Sequence, residues 1–362
     1  MQIIEDRRAL HRIPEPDMRI PKTMAYLRQV LEGLHCRLLS PIPNSICAWF
    51  DFGAEKTIAF RADCDALPIT EQTGLTFSST HPGYMHACGH DGHMAIGLEL
   101  ARRLDRKTQL GCNVLLVFQP AEETVGGAKP LCDSGVFQQY GVEAIFGLHL
   151  WPGLEAGVLY SRKGPLMSRI SGIEVNIQGR SAHIGKSWEA IDALAAGVEF
   201  YRRARALEQN VVPGEYRLLN FGKLHSGTAS NIISGHSRLE GSIRTFNDAV
   251  FDYLHDNILQ IAAEIEQQFG CTVSITFSEG YPAVINDAAL LEKVHALADF
   301  RELDDPTMIS EDFSFYQKIL PGVFFFLGLG DTPALHTNTF QFDEMLLLKG
   351  ADFFETLAQN YR

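Results

Sequence analysis

Between residues 86 and 93 the chain reads His-Ala-Cys-Gly-His-Asp-Gly-His. One thiol, three imidazoles and a carboxylate in eight positions is a density of metal-ligating groups that a solvated loop has no reason to carry, and it points to a metal site. Cys88 and His90 flank Gly89. A two-residue step in extended backbone lets both side chains converge on one ion, and the glycine permits the tight approach. His86, Asp91 and His93 are then expected in supporting roles, holding the ligands in orientation. A catalytic metal demands more than this octet: further ligands, a base for water and an open coordination position.

Those partners can be sought along the chain. Gln119-Pro120-Ala121-Glu122-Glu123 follows the apolar stretch 114–118. Two adjacent carboxylates at a strand end point in different directions, so one can hold metal while its neighbour faces a substrate as a base. A bare Glu-Glu pair is usually two solvated charges; the buried strand before it and Gly126-Gly127 after it set this one apart. His149 ends the apolar stretch 144–148, and His336, in Ala-Leu-His-Thr-Asn, follows a strand and glycine-rich turn over 323–330. Cys88, His90, Glu123, His149 and His336 thus make five candidate ligands from four strand-end loops. That exceeds one closed tetrahedral site and suits two ions sharing a bridging ligand.

The elements that must position these groups follow from hydrophobic periodicity. Over the first 165 residues helix-like stretches (22–34, 93–104) alternate with short buried strands (57–61, 112–118, 144–150), the order of an α/β domain with a mainly parallel sheet and helices on both faces. Such sheets keep their sites in loops just beyond strand ends. Around Gly164-Pro165 the pattern changes. Residues 170–178, 216–224 and 237–246 alternate apolar and polar, 188–207 and 250–269 read as amphipathic helices, and 272–277 as a last strand. This is an inserted α+β module, a four-stranded antiparallel sheet with two helices, over 166–279. The α/β pattern resumes over 280–362, with helices at 288–297 and 346–360 and a strand at 323–329, so the expected catalytic domain comprises 1–165 and 280–362.

Bulk properties exclude whole classes of function. A formal net charge of −13 and 362 residues describe an acidic two-domain protein, with no counter-charge to offer nucleic acid or an anionic membrane surface. Seven cysteines, odd in number and scattered, are no disulfide scaffold. With no secretory signal and no apolar run long enough to span a bilayer, a cytoplasmic protein is expected. Arg202, Arg203 and Arg205 read as a solvated helix face.

The motifs Phe-Arg-Ala-Asp-Cys-Asp-Ala-Leu-Pro-Ile at 60–69, the octet, Gln-Pro-Ala-Glu-Glu, Gly-Leu-His-Leu at 147–150 and Leu-His-Thr-Asn at 335–338 resemble, in order and nearly end to end, the aminoacylase, hippurate hydrolase and auxin-conjugate amidohydrolase branch of the carboxypeptidase-G-like dinuclear metallohydrolases. The resemblance implies that Cys88, His90, Glu123, His149 and His336 bind two divalent ions (Zn, Mn, Co or Ni), with Cys88 bridging. It further implies Glu122 as general acid/base, with Asp63 and Asp65 as supporting carboxylates. Gly179-Arg180-Ser181-Ala182-His183 resembles the family's lid motif, whose histidine reaches the scissile carbonyl, often in the partner subunit's site. Asn231 and Arg244 match positions expected to hold the substrate's carboxylate. The implied assembly is a homodimer through the lid domain. Ile184-Gly185-Lys186-Ser187 departs from the family pattern, lacking the small residue and the proline common there.

The expected activity is hydrolysis of the amide bond of small-molecule N-acyl amino acids, N-acetyl or aroyl. Two alternatives stand beside it. A dipeptidase or carboxypeptidase would use the same metals but need a pocket for a free amino group. A zinc-storing or redox-sensing protein would bind metal through Cys88 without turnover, and would have no need of Glu122.

Overall fold

The computed structural model describes residues 1–209 and 215–362, and the chain divides into two compact units. The first comprises Met1–Leu166, Val284–Pro306 and Glu311–Arg362; the second comprises Met167–Ala283 and a four-residue return, Thr307–Ser310. That return has no counterpart in the sequence pattern. It is held by backbone bonding of Ser168 to Ile309 and of Met167 beside Thr307.

The first unit opens with helices α1 (Gln2–His11) and α2 (Pro21–Leu31) and strands β1 (Arg37–Leu39), β2 (Ile46–Phe50) and β3 (Thr57–Asp63). There follow α3 (His90–Asp105), β4 (Asn113–Gln119), α4 (Ala128–Asp133), α5 (Val136–Gln139), β5 (Val142–Trp151), β6 (Leu159–Ser161) and β7 (Gly164–Met167). The second unit supplies β8 (Arg169–Gln178), β9 (Ala182–His183), α6 (Ala193–Gln209), β10 (Arg217–Ser226), β11 (Ile232–Ile233), β12 (His236–Thr245), α7 (Asp248–Phe269) and β13 (Thr272–Phe277). The chain returns to the first unit with β14 (Val284–Asn286), α8 (Ala288–His295), β15 (Arg301–Glu302), β16 (Gly322–Gly328) and α9 (Leu347–Asn360).

The first unit's eight strands run in the order β1-β2-β4-β3-β5-β16-β6-β15. Its centre is parallel: β4, β3, β5 and β16 pair in the same direction, and the antiparallel pairings lie toward the edges. Every residue of β3, β4 and β16 is buried, as expected of strands covered on both faces. Alternation along β16 shows the two layers. Phe325 packs on Phe353 of α9, while its neighbour Phe324 packs on Phe313 from the other side.

In the second unit the sheet order is β10-β12-β8-β13, antiparallel throughout. Ile173, Val175 and Ile177 of β8 pack in one cluster with Ala196 and Phe200 of α6 and Leu254 and Ile258 of α7. The helix read over 188–207 begins only at Ala193. Residues Ile184–Glu189 form a 3₁₀ turn instead, Ile191 pairs back to Arg180, and the Asp192 carboxylate accepts the Ala195 N–H as a helix cap. Among the described residues no helix is long and apolar enough to cross a membrane.

Candidate metal centre

The donors come from the ends of the parallel strands and the start of α3. Gly89 precedes α3 with φ +90°, a left-handed conformation that suits glycine, and so turns Cys88 and His90 toward the same space. His90 lies in the first turn of α3, not in an extended loop. Its Nδ1 donates to the Asp65 carbonyl at 2.9 Å, which leaves Nε2 buried and without a hydrogen-bond partner, 3.8 Å from Glu123 Oε1. His149 sits inside β5 rather than after it, and its Nδ1 donates to the Leu150 carbonyl at 2.7 Å. Its Nε2 lone pair therefore faces Cys88 Sγ at 3.3 Å. Backbone carbonyls orient both rings, as supporting partners of ligand histidines do.

His336 arrives from beyond β16 with φ +61°, held by its N–H to the Ala87 carbonyl at 2.8 Å. Its Nε2 lies 3.3 Å from Cys88 Sγ and 3.2 Å from Glu123 Oε1. Two donor triads result, Cys88–His90–His149 and Cys88–Glu123–His336, each with its ligand atoms within 4.8 Å of one another. They share the thiol.

The two glutamates are aimed by Asp65. Its carboxylate accepts the N–H of Glu122 at 2.9 Å and of Glu123 at 3.1 Å, just after Ala121, which is held at φ +58°. Gly127 makes this turn possible, since a Cβ there would lie 1.9 Å from the Pro120 carbonyl oxygen. Asp63 fixes His93: His93 Nδ1 meets its carboxylate at 2.6 Å, and His93 Nε2 accepts the Leu150 N–H at 3.0 Å. With both nitrogens engaged, His93 supports the site and has no lone pair to give a metal.

Asp91 is a correction. Expected beside the ligands, it turns away from them, to Arg7 Nε at 2.8 Å and His11 Nδ1 at 2.8 Å, and so locks α1 onto α3. At the first turn of a helix, consecutive side chains diverge by about 100°, so neighbours of a ligand need not face it. His86 is likewise buried against His11 and outside both triads.

Electrostatics match a site made for cations. Burial would lower His90, but the carboxylates of Asp63, Asp65 and Glu123 raise it to about 10. Burial, then Glu123 and Glu122, pushes the Cys88 thiol well up, and burial with the charges of Glu311, Glu123 and Asp312 does the same to Glu122. Burial, with His93 beside it, holds His149 well below the ordinary imidazole range, hence neutral. A pocket that does all of this is short of positive charge, and the unpartnered His90 Nε2 is aimed where a divalent ion would supply it.

Behind the glutamates lies a network the sequence reading passed over. Arg61, 2% exposed, donates to Gln119, Asp63, Glu311 and Asp312. Gln119 also bonds Asp312 and the Tyr316 hydroxyl. The signal was present: an arginine inside the apolar run 57–62 must be paired.

The three positions implied in the second unit do not converge. His183 of β9 pairs with Ile232 of β11, and the Ile184 N–H donates to the Asn231 carbonyl at 2.9 Å, so His183 and Asn231 are neighbours. Gly185 N–H donates to His183 Nδ1 at 3.1 Å, placing the ring proton on Nε2. Arg244 lies toward the far end of β12, eight residues beyond His236, or about 26 Å of strand. It is half-buried and donates to the Met308 carbonyl.

A model of peptidase family M20/M25/M40 matches residues 59–360. An uncharacterized hydrolase of Staphylococcus saprophyticus is 31% identical over 99% of this chain and 97% of its own length. The crystal structure of a protein from methicillin-resistant Staphylococcus aureus superposes with a TM-score of 0.92 at 31% identity, over 99% of this chain and 96% of that one. That of Bacillus subtilis YxeP, described as a dinuclear metal-binding peptidase, does so with 0.85 at 31% identity, over 98% and 96%. The chain is therefore a hydrolase of peptidase family M20/M25/M40, and its donor cluster is consistent with two divalent cations.

Proposed function

We propose that this protein is an amidohydrolase of the aminoacylase and hippurate hydrolase kind, cleaving N-acyl amino acids, and that Cys88, His90, Glu123, His149 and His336 are the residues that would hold its two divalent ions. The observation that carries it is the pair of donor triads sharing one thiol, with a buried Glu122 beside them. A thiolate with imidazole and carboxylate favours zinc, and the donor set also accepts Mn, Co or Ni. When bound, such ions polarise an amide carbonyl and acidify water.

Glu122 takes the proton of the attacking water on its carboxylate and delivers it to the leaving amide nitrogen; burial among carboxylates suits it to carry that proton. His183 Nε2–H donates to the carbonyl oxygen as it becomes an oxyanion, a contribution of about 3 kcal/mol. Asn231 and Arg244 receive the substrate's carboxylate, Arg244 through its planar guanidinium. His183 and Asn231 of one copy serve the site completed by Arg244 of another, as the resemblance of the 179–183 segment to the family's lid motif implies. A homodimer through the second unit follows.

The description of YxeP as a peptidase favours a second reading, dipeptide hydrolysis. Rates on N-acetyl-methionine, hippurate and dipeptides separate the two. Glu122→Gln is the test of mechanism: the reading expects full metal content by mass spectrometry with activity lost, and wild-type turnover in that variant refutes it.

A further inference from the structure

Trp151 is the last residue of β5 and follows His149 by two positions, so both side chains stand on the same face of the strand. The register of the parallel pair puts Phe326 of β16 beside His149 and Gly328 beside Trp151. Gly328 carries no side chain, and a Cβ there would lie 2.1 Å from the Glu155 carbonyl oxygen. With nothing standing beside it, the indole reaches its diagonal neighbour Phe326 and stacks on it, ring centroids 4.0 Å apart at 25°. So braced, it meets the His149 ring at 5.7 Å and 75°, an edge-to-face contact. His93 makes a second such contact at 4.7 Å and 68°, and both of its nitrogens are engaged elsewhere. The Leu150 carbonyl decides which nitrogen of His149 carries the proton. A single hydrogen bond leaves the ring free to tilt about it, so the plane of the ring is left to the two neighbouring rings.

We infer that Trp151 is a positioning residue of the metal centre: braced on Phe326, its indole sets the plane of the His149 ring, and its fluorescence reports whether His149 holds an ion. The inference rests on the reading of His149 as a ligand. A ligand must be held within about 0.5 Å and 10–20° of its productive geometry by neighbours that are themselves locked. Trp151 is locked by the stack and touches the ring that carries Nε2 toward Cys88 Sγ. It is also partly exposed and outside the buried core cluster, so its replacement opens no hole in the core. Phenylalanine can repeat both the stack and the ring contact. Leucine can repeat neither.

The test measures zinc affinity by competition with a chelator in the wild type, Trp151→Phe, Trp151→Leu and His149→Ala. Trp151→Leu should bind zinc about tenfold more weakly or worse, the scale of a lost supporting partner, and Trp151→Phe within about threefold of wild type. Wild-type affinity in Trp151→Leu overturns the inference, and so do equal losses in the two variants, since ring packing is what phenylalanine keeps. Should the leucine variant fail to fold, tryptophan emission decides. Cobalt, a short-range quencher, added to chelated protein should quench the wild type strongly and Trp151→Phe weakly; equal quenching overturns the inference. His149→Ala should lose metal by mass spectrometry. If it keeps wild-type metal content and affinity, the reading of His149 as a ligand falls and the inference with it. Wild-type affinity in Trp151→Leu beside a metal-poor His149→Ala refutes the inference alone.

Discussion

Arg61→Met offers a direct measurement of what holds the floor of the site. The guanidinium donates to Gln119 at 2.9 Å, Asp63 at 2.5 Å, Glu311 at 2.7 Å and Asp312 at 2.7 Å, all buried. Methionine fills a similar volume and donates nothing. Breaking a buried ion pair from one side costs about 3–5 kcal/mol, because the partner charge stays behind unpaired. Three pairs break here, yet their costs do not add in full. Asp63 keeps His93, and Asp312 keeps Gln119 and the Ala128 N–H. Burial already raises Glu311 to about 8 despite Arg61, so in the variant it takes up a proton instead of remaining an anion. We expect a loss of about 3–5 kcal/mol, a large share of a domain's usual 5–15. Urea denaturation in EDTA, followed by the fluorescence of Trp49 and Trp151, which both lie in the first unit, reads this loss without metal contributing. The deficit should shrink as pH falls through about 8, where Glu311 takes up its proton even beside Arg61, while Asp63, held well below the usual carboxylate range, stays an anion. A variant within 1 kcal/mol of wild type would refute the reasoning.

His11 has a carboxylate at each ring nitrogen, Asp91 at 2.8 Å and Glu71 at 3.3 Å. Burial opposes its charge, but Asp91 and Glu71 prevail and raise its pKa. A raised folded value means the stabilisation is complete below the unfolded value of about 6.5 and lost as pH rises through the folded one. Wild type should therefore lose stability over that window relative to His11→Asn, as followed by thermal melts. Gly89→Ala forces a Cβ into φ +90° and to 3.2 Å from Leu150 Cδ1; about 1–3 kcal/mol of strain should appear as lower zinc affinity in competition with a chelator. Returning zinc to chelated protein at a hundred times its dissociation constant should raise stability by about 2.7 kcal/mol; an unchanged melting temperature would contradict the metal centre.

The central sheet was legible because strands buried on both faces write uninterrupted apolar runs, as β3, β4 and β16 do. The octet was legible because its chemistry is local. What could not be read depends on distant partners. Asp91 turns to Arg7, 84 residues away, and Arg61 meets Glu311, 250 residues away. Neither pairing leaves a mark in local periodicity. The helix expected from Trp188 failed for the same reason: the exposed indole fits helical spacing, and only the pairing of Ile191 with Arg180 delays the start to Ala193.

Sharing one thiol between two donor triads also bears on how the protein endures oxidants. A thiolate is the form that peroxides attack, and exposed, acidic thiols are the ones that climb to sulfenic and sulfinic acids. Cys88 is buried, and burial with Glu123 and Glu122 pushes its pKa well up. In the metal-free centre the sulfur keeps its proton and is a poor nucleophile, so, if Cys88 holds cations as proposed, it would be sheltered until metal returned. Reloading must then release that proton, so the affinity for metal rises with pH. The same crowd of carboxylates that calls for cations keeps the empty centre from destroying itself.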